Sequence, residues 1–293
     1  MADNEISTDS VKTLITTQFP HYAALSIKPV PHQGHDNRTF RLGPDLLIRL
    51  PTAETYALKV PIEQAFLPQL QPYLPLPIPC PLHQGTPSVD FPHPFSIYAW
   101  LEGNSANTVS LPENILITLA KDLAHFLKAL HGIQKMTGPA PGQHNWWRGS
   151  ALTVYDQDAR QQINTLSHVI DHHQALNLWE HACATSWQHP PVWIHGDVAP
   201  GNLLINNNHL SAVIDFGGMA MGDPACDLVI AWTYFHGVSR QVFIDAFEYD
   251  QNTWLRAKAW ALWKATYMLC EAKGVDSKMV QQQKALIQTL LSA

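Results

Sequence analysis

Two short segments in the second half of the chain carry acidic and amide side chains at a spacing suited to phosphate chemistry. The first reads His195-Gly196-Asp197-Val198-Ala199-Pro200-Gly201-Asn202, and the second reads Ile214-Asp215-Phe216-Gly217. Phosphoryl transfer needs a carboxylate that accepts the proton of an attacking hydroxyl, and oxygen ligands for the Mg²⁺ on the phosphates. Asp197 suits the first role. Asn202 and Asp215 suit the second, because Mg²⁺ takes one or two protein oxygens beside phosphate and water.

Short apolar runs adjoin both segments and are typical of β-strands. They predict strands at residues 192–195, 202–205 and 210–214, with Asn206-Asn207-Asn208 as the turn between the last two. Polar side chains at the end of a rigid strand are held in a fixed direction. We therefore expect these strands to present the acidic and amide groups in a cleft.

The spacing of these groups resembles that of a known family of kinases. Asp197 and Asn202 are five residues apart, as are the base and the metal-binding Asn of the kinase catalytic loop, and Asp215 stands in an Asp-Phe-Gly context. The pattern HGDxxxxN followed by IDFG is similar to the aminoglycoside phosphotransferase family, which also includes choline, homoserine and macrolide kinases. Gly196 replaces the Arg of His-Arg-Asp in protein kinases, which favours the small-molecule branch.

The resemblance implies a specific set of cofactors and roles. It implies ATP and Mg²⁺ as cofactors, Asp197 as the catalytic base, and Asn202 and Asp215 as metal ligands. Other interpretations remain open for the residues alone. A lone HGD or DFG is more often a carboxylate that caps a strand or a turn than a catalytic group. A metallohydrolase also uses two Asp and an Asn, although its metal shell usually recruits His or further carboxylates.

The connection after the second segment is too short for the activation segment of a protein kinase. Only Gly218–Gly222 separate Gly217 from Asp223-Pro224, and no A-P-E motif follows. Asp223 as N-cap and Pro224 at the first helical position predict a helix start. The resemblance also implies that Asp227 supports the backbone of the catalytic loop. The alternative is a solvated acidic residue in the first turn.

The resemblance assigns nucleotide-binding roles in the first hundred residues. Gly34 and Asn37 occupy the place of a phosphate-covering loop, although this segment lacks a GxGxxG pattern. Arg49 aligns with the strand Lys that grips the α- and β-phosphates, and Glu63 aligns with the Glu that pairs with it. Arg presents a rigid fork where the family has a point charge, so it could pair bidentately with Glu63. The alternative is that Arg49 is an ordinary charge on an edge strand.

The segment 95–103 is similar to the strand of the family that binds adenine. The resemblance implies that backbone groups of Ala99 and Leu101 contact the base and that Tyr98 lies at its back edge. A large aromatic residue there leaves little room for guanine, which favours ATP over GTP. The alternative is that Tyr98 points into the core of the small lobe.

The remaining pattern supplies the elements that position these residues. A leading helix is expected at 7–18 and a β-hairpin from strands 38–42 and 46–50, whose turn is Gly43-Pro44-Asp45. Apolar spacing of three and four predicts further helices. The predicted elements beyond the hairpin are a helix at 54–70, a strand at 95–101, a helix at 115–130, helical sequence up to 188, and helices from 223 onwards. Prolines exclude regular helix from 72–81, and 135–150 reads as a loop.

This order predicts an α+β fold of two lobes, and the resemblance implies that the fold is protein-kinase-like. Residues 1–101 form a small β-rich nucleotide-binding lobe, and residues 102–293 form a larger, mainly helical lobe with the catalytic and acceptor-binding groups. The hinge is expected near 99–104, where Gly103 interrupts the pattern.

Composition excludes several classes of function. Hydrophobic residues make up 46% of the 293 residues and charged residues 14%, which is typical of a folded domain with a large core. A net charge of −6 argues against a nucleic-acid partner. The sequence contains no run of 18 apolar residues, so it predicts no membrane-spanning helix. Four cysteines without CxxC spacing are typical of reduced thiols in the cytoplasm.

The expected partner is a small molecule with a hydroxyl group, and its identity stays open. Candidates for the acceptor pocket are 144–149, Glu180, Asp245 and Glu271. An aminoglycoside or macrolide antibiotic, a choline, homoserine or sugar metabolite, and a nucleotide-binding pseudokinase without turnover are all compatible with the pattern. The sequence does not determine the oligomeric state.

Overall fold

The structure, a computed structural model, describes residues 6–31, 33–272 and 277–292. It is α+β, as predicted, and the chain divides into two compact units. The first unit comprises the chain through Glu102 together with Ala212–Gly217, and the second comprises Gly103–Ser211 and the chain from Gly218 onwards. The sequence analysis placed 212–217 with the second region. In the structure this segment, which contains Asp215, belongs with the first unit.

A five-stranded antiparallel sheet dominates the first unit. Its strands are β1 (Ile27–Pro29), β2 (Asn37–Leu42), β3 (Leu46–Pro51), β4 (Pro81–Gly85) and β5 (Phe95–Ala99), in the order β1-β2-β3-β5-β4. The predicted hairpin is confirmed, and Gly43 adopts the positive φ of 62° that its turn requires. β1 and β4 were not predicted. The strand predicted at 95–101 ends at Ala99, so Leu101 lies beyond it.

Three helices accompany the sheet: α1 (Thr8–Gln18), α2 (Glu54–Ala57) and α3 (Lys59–Leu70). The side chain of Ser7 caps α1 by accepting a hydrogen bond from the Ser10 N–H at 3.1 Å. The single helix predicted at 54–70 is interrupted at Leu58. Pro61 is tolerated because it falls in the first turn of α3, where its missing N–H has no intrahelical partner.

The second unit is mainly helical, as predicted. Its helices are α4 (Glu113–His131), α5 (Asp156–Thr165), α6 (His172–Cys183), α7 (Ile230–Thr233), α8 (Gly237–Asp245), α9 (Gln251–Glu271) and α10 (Ser277–Leu291). The apolar stripe of α4 is buried along its length, with Leu119, Leu123 and Leu127 fully inaccessible. Within the described ranges, no helix of either unit has the length and hydropathy needed to cross a membrane.

Short strands adjoin the two segments that contain Asp197 and Asp215. They are β6 (Asn104–Ser105), β7 (Val192–Ile194), β8 (Leu203–Asn206), β9 (His209–Val213) and β10 (Ala220–Gly222), arranged as sheets β6-β8-β9 and β7-β10. Asn207 and Asn208 form the predicted turn with φ of 50° and 63°, which asparagine tolerates. The helix predicted from Asp223 begins instead as a 3₁₀ turn, Pro224–Asp227, with Asp223 as its N-cap.

Candidate active site

The backbone of the His195-Gly196-Asp197 segment follows directly from β7 and requires glycine at its centre. Gly196 has a φ of +82°, which disfavours any side chain. A Cβ atom at this position would also lie 2.1 Å from the carbonyl oxygen of Gly218. Strand β10, which pairs antiparallel with β7, brings the chain back at this point. The glycine of HGD is therefore fixed by close backbone packing.

Asp227 supports the backbone of this loop through hydrogen bonds, as predicted. Its carboxylate is fully buried and accepts hydrogen bonds from the N–H groups of His195 at 2.8 Å and Gly196 at 2.7 Å. The Nε2 atom of His131 lies 3.1 Å from the same carboxylate. Because each oxygen binds a backbone donor, the carboxylate fixes the N–H groups of the two residues that precede Asp197. The alternative of a solvated first-turn residue is wrong.

Asp197 lies between two cations. Its Oδ1 atom is 3.2 Å from Nζ of Lys264 on α9 and 3.7 Å from the guanidinium of Arg148. Burial opposes ionisation, but Arg148, Lys264 and His195 outweigh it and lower the pKa of Asp197 to about 2. At neutral pH the side chain is a carboxylate, which is the form that can accept a proton.

This depressed pKa makes a testable contribution to stability. An Asp carboxyl has an ordinary pKa of 3.8, so the stabilisation is fully present above about pH 4 and is lost as the pH falls towards 2. After allowance for solvent screening we expect it to reach about 1–2 kcal/mol. Urea unfolding should show that acidification from pH 5 to pH 2.5 destabilises the wild type more than Asp197→Asn. Parallel pH curves for the two proteins would contradict the assignment.

Arg148 reaches Asp197 from a strained loop. Trp146 and Trp147 both adopt left-handed backbone conformations, with φ of 52° and 57°, which are unfavourable for bulky residues. The buried amide of Asn145 donates to the carbonyls of Arg148 at 3.0 Å and Gly218 at 3.1 Å and so ties the loop down. Such strain persists only where surrounding contacts enforce it, and it commonly marks a functional site.

Asn202 is attached to the backbone of Asp197. Its Nδ2 donates to the Asp197 carbonyl at 2.9 Å, which leaves the amide oxygen directed away from that bond. Asp215, which belongs to the first unit, also carries oxygen donors, and its side chain is 44% exposed. Carboxylate and amide oxygens are the donor types that Mg²⁺ takes, so the chemistry of these residues fits a magnesium ion.

Asp215 lies in the first unit with Arg49. The guanidinium donates to Oδ1 of Asp215 at 2.9 Å, and its distance to Glu63 is 3.8 Å. The bidentate Arg49–Glu63 pair that we considered is therefore not formed. Burial opposes the charge of Arg49, but Asp215 and Glu63 outweigh it and raise its pKa. The hydroxyl of the buried Tyr98 donates to Glu63 instead.

Lys59 was missed by the sequence analysis. It begins α3, is largely buried, and its Nζ lies 2.6 Å from the carboxylate of Asp36. Lys59 on α3 lines a small cavity with Asn37 and with Arg49 of β3, so two cations border this cavity. The available signal was a lysine one helical turn before Glu63, on the same face of α3.

The other predicted nucleotide-binding residues are also found in the first unit. Asn37 opens β2 opposite Pro51, and a Cβ on Gly34 would meet nothing within 4 Å. Ala99 ends β5 opposite Leu46, and Leu101 follows two residues later. The space around Gly34 leaves this loop open to a ligand.

A pocket of about 190 Å³ adjoins Asp197 within the second unit. One face of α9 forms its wall. The residues of that face recur at spacings of three and four: Trp260, Trp263, Lys264, Tyr267 and Met268. Of the acceptor candidates, Arg148 lines the pocket and Glu180, Asp245 and Glu271 do not. Glu180 instead pairs with Arg160 at 2.7 Å, and Asp245 accepts from Gln241 at 2.7 Å.

Comparison with known proteins identifies the family. Residues 26–260 match the model of the phosphotransferase enzyme family (APH). The chain belongs to this family. The match spans both catalytic segments and includes β7, β8 and β9, so the recognition of a phosphotransferase from HGDxxxxN and IDFG is confirmed.

Solved structures share the fold of this phosphotransferase. The GDP and kanamycin complex of APH(2")-IIia aligns with a TM-score of 0.75 at 20% identity, over 96% of this chain and 98% of that one. The streptomycin–ATP–APH(2")-IIa complex aligns with a TM-score of 0.60 at 18% identity, over 100% and 98%. Macrolide 2'-phosphotransferase MphH from Brachybacterium faecium aligns with a TM-score of 0.62 at 18% identity, over 95% and 98%. No protein with a curated description matches.

These likenesses confirm the protein-kinase-like fold of the phosphotransferase. At 18–20% identity they carry the fold alone. The first of these solved structures is a complex with GDP and kanamycin, and the second is a complex with ATP and streptomycin.

Proposed function

We propose that this phosphotransferase transfers the γ-phosphoryl group of ATP, with Mg²⁺, to a hydroxyl of a small molecule. The observation that carries this proposal is the ionised Asp197 beside a pocket of about 190 Å³, with its backbone fixed by Asp227 and Asn202. A carboxylate that is held rigidly and faces a cavity has the position and protonation state of a general base.

The chemical step uses Asp197 to orient the acceptor. The acceptor hydroxyl donates its hydrogen to the carboxylate, and its oxygen forms the new bond to the γ-phosphorus. The bond from that phosphorus to the bridging oxygen breaks, and ADP leaves with the electron pair. The hydroxyl proton passes to Asp197 and later to solvent. The low pKa of Asp197 makes it a weak base, so positioning contributes more than proton abstraction.

Residues of the first unit would hold the nucleotide. Arg49 and Lys59 supply positive charge for the phosphates, and Gly34 and Asn37 supply the open loop that covers them. The backbone of Ala99 and Leu101 would bind the adenine edge. Tyr98 would close the back of that pocket, because its ring is anchored through Glu63.

Mg²⁺ would be held by Asn202 and Asp215, whose oxygens fit its coordination chemistry. When bound, the ion supplies positive charge that neutralises the β- and γ-phosphates. Asp215 also orients Arg49 through the 2.9 Å contact. A cytoplasmic location suits an enzyme that consumes ATP and has four free cysteines among its described residues.

A screen of acceptors tests the proposal. ADP release would be measured with kanamycin, streptomycin, a macrolide, choline, homoserine and sugars, each with ATP and with GTP at matched subsaturating concentration. Turnover with one acceptor supports phosphoryl transfer and separates an antibiotic substrate from a metabolite. Nucleotide binding without turnover on any acceptor would instead support a pseudokinase. Equal or faster turnover with GTP would contradict the assignment of Tyr98.

Arg49 variants test the phosphate contact. We expect Arg49→Ala to raise KM for ATP about 10-fold or more, because a charge-assisted hydrogen bond to phosphate is lost, and to change KM for the acceptor about two-fold at most. Arg49→Lys should partly restore activity, because a point charge also suits phosphate. Steady-state kinetics with each substrate varied would check both. Equal losses for both substrates would mean that Arg49 only stabilises the small sheet.

A further inference from the structure

The pocket beside Asp197 carries an excess of positive charge, which does not suit a cationic acceptor. We name it the Trp–Lys pocket after its residues on α9: Trp260, Trp263 and Lys264. Its charged lining residues are one carboxylate, Asp197, and two cations, Lys264 and Arg148. Asp197 neutralises one of them. Among the described residues, no other carboxylate lies within salt-bridge distance of either cation, so one positive charge stays uncompensated.

The two cations of this pocket hydrogen-bond in one direction only. The ammonium of Lys264 and the guanidinium of Arg148 are donors without an acceptor atom. Asp197 is the acceptor among the charged lining residues, and it already contacts both cations. The two cations therefore suit a ligand that brings acceptor oxygens of its own.

The shape of the Trp–Lys pocket restricts the ligand further. Its volume of about 190 Å³ is below the roughly 300–1,000 Å³ typical of sites for drug-sized ligands. Trp263 and Tyr267 are four residues apart on α9, their rings are nearly parallel with centroids 6.1 Å apart, and both residues line the pocket, so this wall is aromatic. A compact body with a planar face fits such a wall.

The distance between the base and the cation sets the geometry of the acceptor. Nζ of Lys264 is 3.2 Å from Oδ1 of Asp197. A hydroxyl that donates to Asp197 and an anionic group that binds Lys264 must therefore be separated by only a few bonds. Acids with a hydroxyl on the α or β carbon have this arrangement. A polycation would instead meet Lys264 and Arg148 at close range.

We propose that the acceptor is a compact hydroxy acid with a flat apolar body, whose anionic group binds Lys264 and Arg148 while its hydroxyl faces Asp197. This rests on the proposed phosphoryl transfer. The body packs on Trp263 and Tyr267. The reaction is the one already described, and it yields ADP and the O-phosphorylated acid. Carboxylate and phosphonate are equivalent in this argument, and the experiment separates them.

Matched acceptors test the proposal on the full-length enzyme. ADP release would be measured with 3-phenyllactate, its amide, its phosphonate analogue, 2-phenylethanol and kanamycin. We expect kcat/KM for at least one of the two anions to exceed that of the amide about 10-fold or more, because a charged hydrogen bond is lost in the amide. The stronger anion identifies the class. Higher kcat/KM for the amide, the plain alcohol or kanamycin would overturn the proposal.

A lysine variant assigns the effect to Lys264. Lys264→Gln should lower the preference for anion over amide about five-fold or more, because the hydrogen-bond donor stays but the charge is lost. The control is Lys121→Gln, an exposed lysine on α4 outside the pocket, which should keep the preference. An equal loss for anion and amide would place Lys264 on the transferred phosphoryl group and overturn the proposal.

A binding measurement separates this proposal from the proposed transfer. If no acceptor releases ADP, phosphoryl transfer itself fails, and the pocket is then tested by quenching of tryptophan fluorescence, since Trp260 and Trp263 line it. Tighter binding of 3-phenyllactate or its phosphonate than of the amide supports an anion-binding pocket. Equal affinity for all three overturns it.

Discussion

Asp197→Asn is expected to reduce turnover about 10²–10⁴-fold while the affinity for nucleotide stays within about two-fold. Asparagine has the same shape, so the backbone contacts of the loop persist, including the donation from the N–H of residue 197 to Nδ1 of His195 at 3.1 Å. The amide cannot accept a proton from the acceptor. It also leaves Lys264 and Arg148 without their carboxylate.

The measurement is kcat from ADP release, paired with a titration of Mg·ATP binding. Thermal unfolding of the variant at pH 7 checks that the unit remains folded. Asp122→Asn is a suitable control, because Asp122 pairs with His209 outside the pocket. More than about a third of wild-type turnover in Asp197→Asn would mean that this residue is not the base.

Asp215→Ala is expected to abolish turnover, with a loss of about 10³-fold or more. Two contacts disappear together: the charged ligand for the metal and the partner of Arg49 at 2.9 Å. Without that carboxylate, the ion-pair partner left to Arg49 among the described residues is Glu63 at 3.8 Å, beside the ring of Tyr98. Loss of the metal ligand leaves the phosphate charge of ATP poorly neutralised.

Titration of ATP with and without Mg²⁺ separates these two effects. The wild type should bind Mg·ATP more tightly than ATP in EDTA, and Asp215→Ala should lose this difference. Asn202→Ala should keep part of it, because water can replace a neutral ligand. An undiminished Mg²⁺ dependence in Asp215→Ala would remove Asp215 from the metal site.

The segments proposed to be catalytic were predictable from the sequence because their residues lie close together along the chain. Asp197 and Asn202 are held five residues apart by one short turn, and the hydrogen bond from Asn202 to the Asp197 carbonyl closes that turn. The glycine of HGD follows from backbone packing that the motif itself encodes. Asp227 was assigned through the family resemblance, and its two backbone contacts explain why its position is fixed.

Elements that depend on distant partners were missed. β1 has three residues and ends at Pro29, β4 begins with Pro81, and β10 is Ala220–Gly222, so none shows an alternating pattern long enough to read. Each forms because a neighbouring strand satisfies its backbone. The preference of Arg49 for Asp215, 166 residues away, is invisible for the same reason.

The face of α9 that lines the pocket beside Asp197 was missed for a different reason. Its pattern, with Trp260, Trp263 and Tyr267 on one face, was present in the sequence at helical spacing. An aromatic stripe on a helix usually packs into the core, and α9 also has fully buried residues on other faces, such as Leu262 and Ala265. Only the fold shows which face borders the catalytic loop.

The backbone crossing of Gly196 and Gly218 has a consequence for control of the enzyme. In protein kinases, the arginine before the catalytic Asp and a long phosphorylated segment after DFG form an on–off switch. Here an arginine side chain at position 196 would have to start 2.1 Å from the carbonyl of Gly218. The carbonyl of Gly218 fills the room that the first carbon of such a side chain would need. A switch that relies on an arginine before the Asp therefore has no place in this loop.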